Sequence, residues 1–348
     1  MEIASSNRAA LMAKILGLLF VMSVAGQSYA ALQNGFYAQK CFSGGSRGGL
    51  LFGSTSPATP VDVEQTVRNK VTEAFKSDST IVAALLRLQF HDCFVMGCDA
   101  SILLEGPSSE RTAPPNLSVR GYDLIETIKQ ALEAKCPGVV SCADIIAMAT
   151  RDAVNLASNG VVKYNVQTGR RDGSISLASN VDLPSPSISV DQSIAAFAKK
   201  GISPDNMVYL LGGHTVGIAH CTLFQDRLYN FQNSGKPDPS MNQTLVEKLK
   251  VECPQGSSSG NTVNLDQGPA SSLIVDKSYY QQLLLKSGIL QIDQALFLDA
   301  RTNATVVALT NGAQDFNVKF GEAMVKLGAI QVLTGSRGQI RNICSKVN

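Results

Sequence analysis

Arg87 and His91 stand four residues apart, with Phe90 beside the histidine, in the run Arg-Leu-Gln-Phe-His-Asp-Cys. On a helix this spacing brings a permanently charged guanidinium and an imidazole that titrates near neutrality over one spot. Such a pair can move a proton and steady the charge that develops as a bond breaks. An isolated pair of this kind is usually a surface pair, so the residues next in the chain decide its meaning. Asp92, Asp99 and Ser101 offer oxygen atoms within a few residues of His91. Gly97, and a bridge between Cys93 and Cys98 should one form, would fold the loop so that backbone carbonyls join them around a hard cation such as Ca²⁺.

Helices must carry these groups. Ile81, Leu85 and Leu88 recur at helical spacing, so an amphipathic helix should run from about Ser79 to His91 with that stripe in a core. Residues 65–74 read as a helix before it, and residues 121–135 and 142–157 as helices after it, broken by Cys136-Pro137-Gly138. Ser203-Pro204-Asp205 marks another start, with Ser at the cap, Pro at the first helical position and Asp in the first turn. That helix leads to Gly212-Gly213-His214-Thr215, where two glycines would let backbone approach a flat cofactor closely. Helical segments are also expected near 302–310 and 312–327.

The 348 residues, 44% of them hydrophobic, suffice for one large domain or two fused halves. A net charge of +2, without a basic run interleaved with aromatics, excludes nucleic acid and an anionic membrane surface as partners. Eight cysteines, an even count with no C-x-x-C pair, suit disulfides in an oxidising compartment rather than zinc. Only three histidines exist, His91, His214 and His220, so a multi-histidine metal site is nearly excluded, whereas a haem site needs one or two. Arg8 and Lys14 precede an apolar run from Ile15 to Ala25, and Ser28-Tyr29-Ala30 is a small-x-small cleavage pattern. Residues 1–30 therefore read as a secretory signal peptide too short to span a membrane, leaving a mature chain from Ala31 with no membrane role.

Arg87-x-x-Phe-His-Asp-Cys-Phe-Val-x-Gly-Cys-Asp-Ala-Ser101 resembles the distal haem and calcium signature of the secretory plant haem peroxidases, class III. The resemblance extends over nearly all of residues 33–348. It implies a mainly α fold whose two helical halves sandwich haem b, with two Ca²⁺ ions and four disulfides. The distal half would bear Arg87, Phe90, His91 and Asn116, the asparagine accepting from His91 Nδ1–H so that Nε2 is the base. The proximal half would bear His214 as the iron ligand and Asp293 as the acceptor of its other ring proton. Asp92, Val95, Gly97, Asp99, Ser101 and Glu110 correspond to the distal calcium site, and Glu110 also to the hydrogen-bond chain through Asn116. Thr215, Asp266, Ser271, the Ile274 carbonyl and Asp276 correspond to the proximal one, with Ser272 a rival to Ser271 because the spacing is longer than usual. The family connectivity pairs Cys41 with Cys136, Cys93 with Cys98, Cys142 with Cys344 and Cys221 with Cys253. Pro184 lies in the loop that lines the family's reducing-substrate channel.

The function implied is reduction of hydrogen peroxide to water with one-electron oxidation of small phenolic donors, by a monomer secreted to the cell wall or apoplast. Two rival readings compete with it: a catalytically silent, calcium-bound interaction protein on the same scaffold, and a non-haem hydrolase using His91 and Asp92. The second lacks a Gly-x-Ser-x-Gly elbow. Arg170, Arg171 and Asp172 are expected to form structural ion pairs, and His220 to be structural or at the surface. Asn242 and Asn303 are the glycosylation candidates, whereas Asn116 would be buried. Residues 42–59, rich in Gly and Ser, depart from the family and read as an exposed, poorly ordered insertion, since removing them would join Cys41 to Pro60.

Overall fold

The structure, a computed structural model, describes residues 32–43, 59–256 and 260–348. The expected signal peptide and the apolar patch Leu50 to Phe52 of the insertion lie outside the described residues. The fold is mainly helical. Its first group comprises α1 (Val63–Ser77), α2 (Ile81–Val95), α3 (Tyr122–Glu133) and α4 (Cys142–Ala157). A second comprises α5 (Val190–Lys199), α6 (Pro204–Leu211), α7 (Gln225–Tyr229), α8 (Gln243–Glu252), α9 (Ser278–Leu284), α10 (Gln291–Leu298), α11 (Asn303–Asn311) and α12 (Phe316–Leu327).

Local chemistry explains several boundaries. Asp62 caps α1 by accepting from Gln65 N–H, Ser141 caps α4, and Ser189 and Gln192 form a capping box at α5. Helix α4 is buried without a break from Cys142 to Val154, as suits a helix that is largely small and apolar on every face. It packs against α1, α2 and α3, and in the second group α6 packs against α12.

Two expectations for α2 need correction. The helix runs four residues past His91 to Val95, because Phe94 and Val95 extend its buried surface and Cys93 is bridged to Cys98. Nor is it amphipathic: Val82, Gln89 and Asp92 are buried along with Ile81, Leu85 and Leu88, since the helix is enclosed by neighbours rather than laid on a surface.

The disulfides are Cys41–Cys136, Cys93–Cys98, Cys142–Cys344 and Cys221–Cys253. They tie the segment before α1 to the end of α3, and the start of α4 to the C-terminal segment. The ends of the insertion meet in a small antiparallel pair, β1 (Phe42–Ser43) with β2 (Thr59–Pro60), and Val61 N–H donates to Cys41 O at 3.0 Å. A second pair joins β3 (Ile218–His220) to β4 (Thr262–Asn264), with His220 opposite Thr262. No helix among the described residues is long and apolar enough to cross a membrane.

Candidate functional site

Late in α2, Arg87 Nε–H donates to His91 Nε2 at 3.2 Å, as their spacing predicts. His91 Nδ1 lies 2.6 Å from Asn116 Oδ1. An amide oxygen can only accept, so Nδ1 carries the proton and Nε2 keeps its lone pair. The turn that holds Asn116 also anchors the arginine: Nη2 donates to Pro115 O at 2.8 Å and Nη1 to Ser118 Oγ at 3.0 Å. Burial lowers the His91 pKa to about 4, with the Arg87 charge acting the same way and Asn116 opposing them. The imidazole is thus neutral and able to accept a proton over most of the working pH range. Phe90 lies edge-on to His91 at 6.0 Å and continues into a cluster with Phe94 and with Phe197 of α5.

Beyond His91 the chain buries three carboxyl groups. Asp92, Asp99 and Glu110 are at most 6% exposed, and Ser101 is fully buried. Asp92 Oδ2 accepts from Ala100 N–H and Asp99 Oδ1 from Ser101 N–H, but Asp92 Oδ1, Ser101 Oγ and both Glu110 carboxyl oxygens have no hydrogen-bond partner among the described residues. Burial raises the pKa of Asp92 well above its ordinary value, with Asp99 and Glu110 adding to it, and burial pushes Glu110 up to about 7. Buried acceptors without donors, facing one another, are what a cation would satisfy. Gly173 lies so close that a Cβ there would stand 2.1 Å from Asp99 Oδ2.

The carbonyls of two expected ligands each accept a hydrogen bond. Val95 O accepts from Lys200 Nζ at 2.9 Å, and Gly97 O accepts from Asp99 N–H at 2.8 Å. A carbonyl oxygen has two lone pairs, so each of these bonds leaves one of them unused. Gly97 has a further reason to be glycine, a φ of +102° beside Gln331. Glu110 meets Asn116 through its backbone, its carbonyl accepting from Asn116 Nδ2 at 2.8 Å.

Helix α6 begins at Ser203 and Pro204 as expected, and a 3₁₀ turn, Gly212–Thr215, carries His214. His214 Nδ1 lies 2.8 Å from Asp293 Oδ1, in the first turn of α10. Nδ1–H therefore points at a carboxylate, and no hydrogen bond among the described residues reaches Nε2. The side chain keeps 30% of its accessible surface. Burial lowers the His214 pKa, but Asp293 more than offsets this and the net shift is upward; the Arg87 charge also reaches it. The available Nε2, the partly exposed imidazole and the neutral base in α2 together fit a haem. The role expected of Gly212 requires a correction, whereas a Cβ on Gly213 would meet nothing closer than Phe320 at 3.9 Å. A Cβ on Gly212 would stand 2.3 Å from Tyr280 Oη, so this residue makes room for an aromatic core rather than for a cofactor.

A second oxygen cluster surrounds Thr215. Its Oγ1 lies 3.5 Å from Asp266 Oδ2, 3.3 Å from Ile274 O and 3.4 Å from Asp276 Oδ1. One hydroxyl proton cannot serve three acceptors, so this arrangement also fits a cation. Ser271 Oγ donates to Asp266 Oδ2 at 2.7 Å, favouring it over Ser272. Among the described residues no three His, Cys, Asp or Glu side chains gather closely enough to hold a metal, so hydroxyl and carbonyl oxygens would have to complete either cluster.

Sequence reasoning missed several neighbours. Ser278 donates to Asp266 Oδ2 and through its backbone to Asp276 Oδ1; its position two residues after Asp276 was the available signal. Ser118 and Tyr279, which reaches Asp293, gave none in spacing. Pro184 is half-buried in a loop tied to α10 by Ile292 N–H donating to Pro186 O at 3.1 Å. Arg170 forms a buried ion pair with Asp144 at 2.7 Å, whereas Arg171 reaches the Gly338 carbonyl instead of a carboxylate. Asn303 donates its amide to Phe297 O, while Asn242 accepts as the cap of α8 and is exposed. A surface cleft of about 360 Å³ lined by Ser43, Pro60, Asp62 and Lys135 contains none of the residues that could do chemistry.

Comparison with known proteins bears on this geometry. The peroxidase family model matches residues 67–312. Peroxidase 60 of Arabidopsis thaliana is 48% identical over 327 residues, covering 94% of this chain and 93% of that relative. Peroxidase 57 of the same plant is 44% identical over 336 residues, covering 97% and 99%. Peroxidase N1 of Nicotiana tabacum is 44% identical over 314 residues, covering 87% and 91%.

Proposed function

Since the chain belongs to the class III plant peroxidases, and is therefore a peroxidase, we propose that it reduces hydrogen peroxide to water while oxidising small phenolic donors in one-electron steps outside the cell. His214 Nε2 would hold haem b, which would supply the redox chemistry: two electrons for peroxide, regained singly from donors. His91 Nε2 takes the proton from the near oxygen of peroxide and returns it to the far oxygen, so that water leaves. Arg87 steadies the negative charge on that far oxygen as the O–O bond lengthens. Asn116 keeps the base in the required tautomer, and Asp293 draws the His214 Nδ1 proton, making Nε2 a more electron-rich ligand.

One Ca²⁺ would sit with Asp92, Val95, Gly97, Asp99, Ser101 and Glu110, and a second with Thr215, Asp266, Ser271, Ile274 and Asp276. Asp92 follows His91 and Thr215 follows His214 directly, so each ion would stiffen the backbone next to one functional histidine. Donors would enter beside Pro184. Residues 1–30 would direct the chain to secretion, and the mature protein would act as a monomer.

The observation that carries this reading is the pair of histidines whose Nδ1 atoms are bonded at 2.6 and 2.8 Å, so that Nε2 of His91 faces Arg87 with its lone pair and Nε2 of His214 has no partner among the described residues. The test is the purified haem-loaded protein, measured for a Soret band, calcium content, peroxide consumption and a panel of phenolic donors. Turnover of peroxide with phenols, lowered by a calcium chelator, is the expected result. A Soret band without peroxide turnover would instead favour the silent scaffold.

A further inference from the structure

Asp293 serves two donors on one oxygen. Tyr279 Oη donates to Oδ1 at 2.9 Å, the same atom that His214 Nδ1 reaches at 2.8 Å, while Leu290 N–H donates to Oδ2 at 3.3 Å. Tyr279 is only 2% exposed, and its ring lies edge-on to the His214 imidazole with centroids 6.2 Å apart. Burial and then the Asp293 charge push its phenol well above the ordinary value, so it remains a donor. A carboxylate oxygen that accepts a buried hydroxyl proton spreads its charge over two bonds and is a weaker acceptor for either.

We propose that Tyr279 is a positioning residue that limits how strongly Asp293 draws the Nδ1 proton of His214, and so sets the electron richness of Nε2 toward the haem iron. This rests on the proposed ligation of haem by His214. The tyrosine acts on the metal only through the carboxylate and the imidazole, the route by which outer hydrogen bonds tune a ligand. Its neighbour Tyr280, with ring centroids 4.9 Å away, provides an internal control: it is equally buried, but its hydroxyl donates to the Val208 carbonyl at 3.0 Å.

The experiment compares the haem-loaded wild type with Tyr279→Phe and Tyr280→Phe by ferric/ferrous midpoint potential and by the iron–imidazole stretching frequency of the ferrous form. Tyr279→Phe, which keeps the ring and removes the hydroxyl, is expected to lower the potential and raise the frequency; Tyr280→Phe should leave both unchanged. If Tyr279→Phe does not fold, 3-fluorotyrosine placed at position 279, a stronger donor, should move both quantities the opposite way. Potential and frequency unmoved by Tyr279→Phe, or unmoved by the fluorinated residue, would overturn the inference while leaving ligation by His214 intact. A wild type with no iron–imidazole band would overturn the haem reading itself, and this inference with it.

Discussion

His91 and His214 are held by the same device and end in opposite states. Each has Nδ1 bonded to a side-chain oxygen, at 2.6 Å from Asn116 and at 2.8 Å from Asp293, and each therefore presents Nε2. For His91 the acceptor is a neutral amide and the nearest charge is Arg87, so burial and that charge lower its pKa to about 4. For His214 the acceptor is a carboxylate that overrides burial and raises the pKa. One acceptor thus makes a neutral base that can take a proton and give it back. The other, on the proposed reading, would make an electron-rich ligand. The identity of a single oxygen-bearing partner would then separate acid–base work from metal ligation.

Removing the two imidazoles should break this comparison most sharply. His214→Ala should lose haem, seen as loss of the Soret band, whereas His91→Leu should keep it and slow the reaction with peroxide by ~10²–10⁴-fold in stopped-flow experiments. An undiminished rate in His91→Leu would show that another group moves the proton. Exchanging the acceptor should have a smaller effect that sharpens the comparison. His91 must be neutral to accept a proton, so the rate should fall as pH drops through about 4. In Asn116→Asp a carboxylate would stabilise the imidazolium, raise that pKa and move the acid limb to higher pH. An acid limb that stays in place would mean that Asn116 does not control the base.

The smallest effect is expected far from either histidine. Deleting residues 42–59 joins Cys41 to Pro60, which the pairing of Phe42 with Pro60 and the bond from Val61 N–H to Cys41 O already hold close. Phe42 is 40% exposed, and loop-closure cost changes only slowly with length. The variant should retain the Cys41–Cys136 bridge and peroxidase activity, with a melting temperature no lower than that of the full chain. A clearly lower melting temperature would make the segment part of the fold.

Features set by local geometry were legible in the sequence alone. Four-residue spacing fixes Arg87 against His91 wherever a helix forms, the Ser203 and Pro204 signals begin α6, and the histidine at its far end follows by chain continuity. The resemblance supplied the partners that spacing cannot: Asn116 lies 25 residues from His91, and Asp293 lies 79 from His214. Only the tertiary structure decided how side chains from remote elements share or compete for an atom. Lys200 donates to the Val95 carbonyl, Tyr280 fills the space left by Gly212, Ser278 joins Thr215, and Tyr279 shares Asp293 Oδ1 with His214. The physical reason is range. A helix repeats its own geometry, whereas packing between helices brings together residues whose separation along the chain carries no periodic signal.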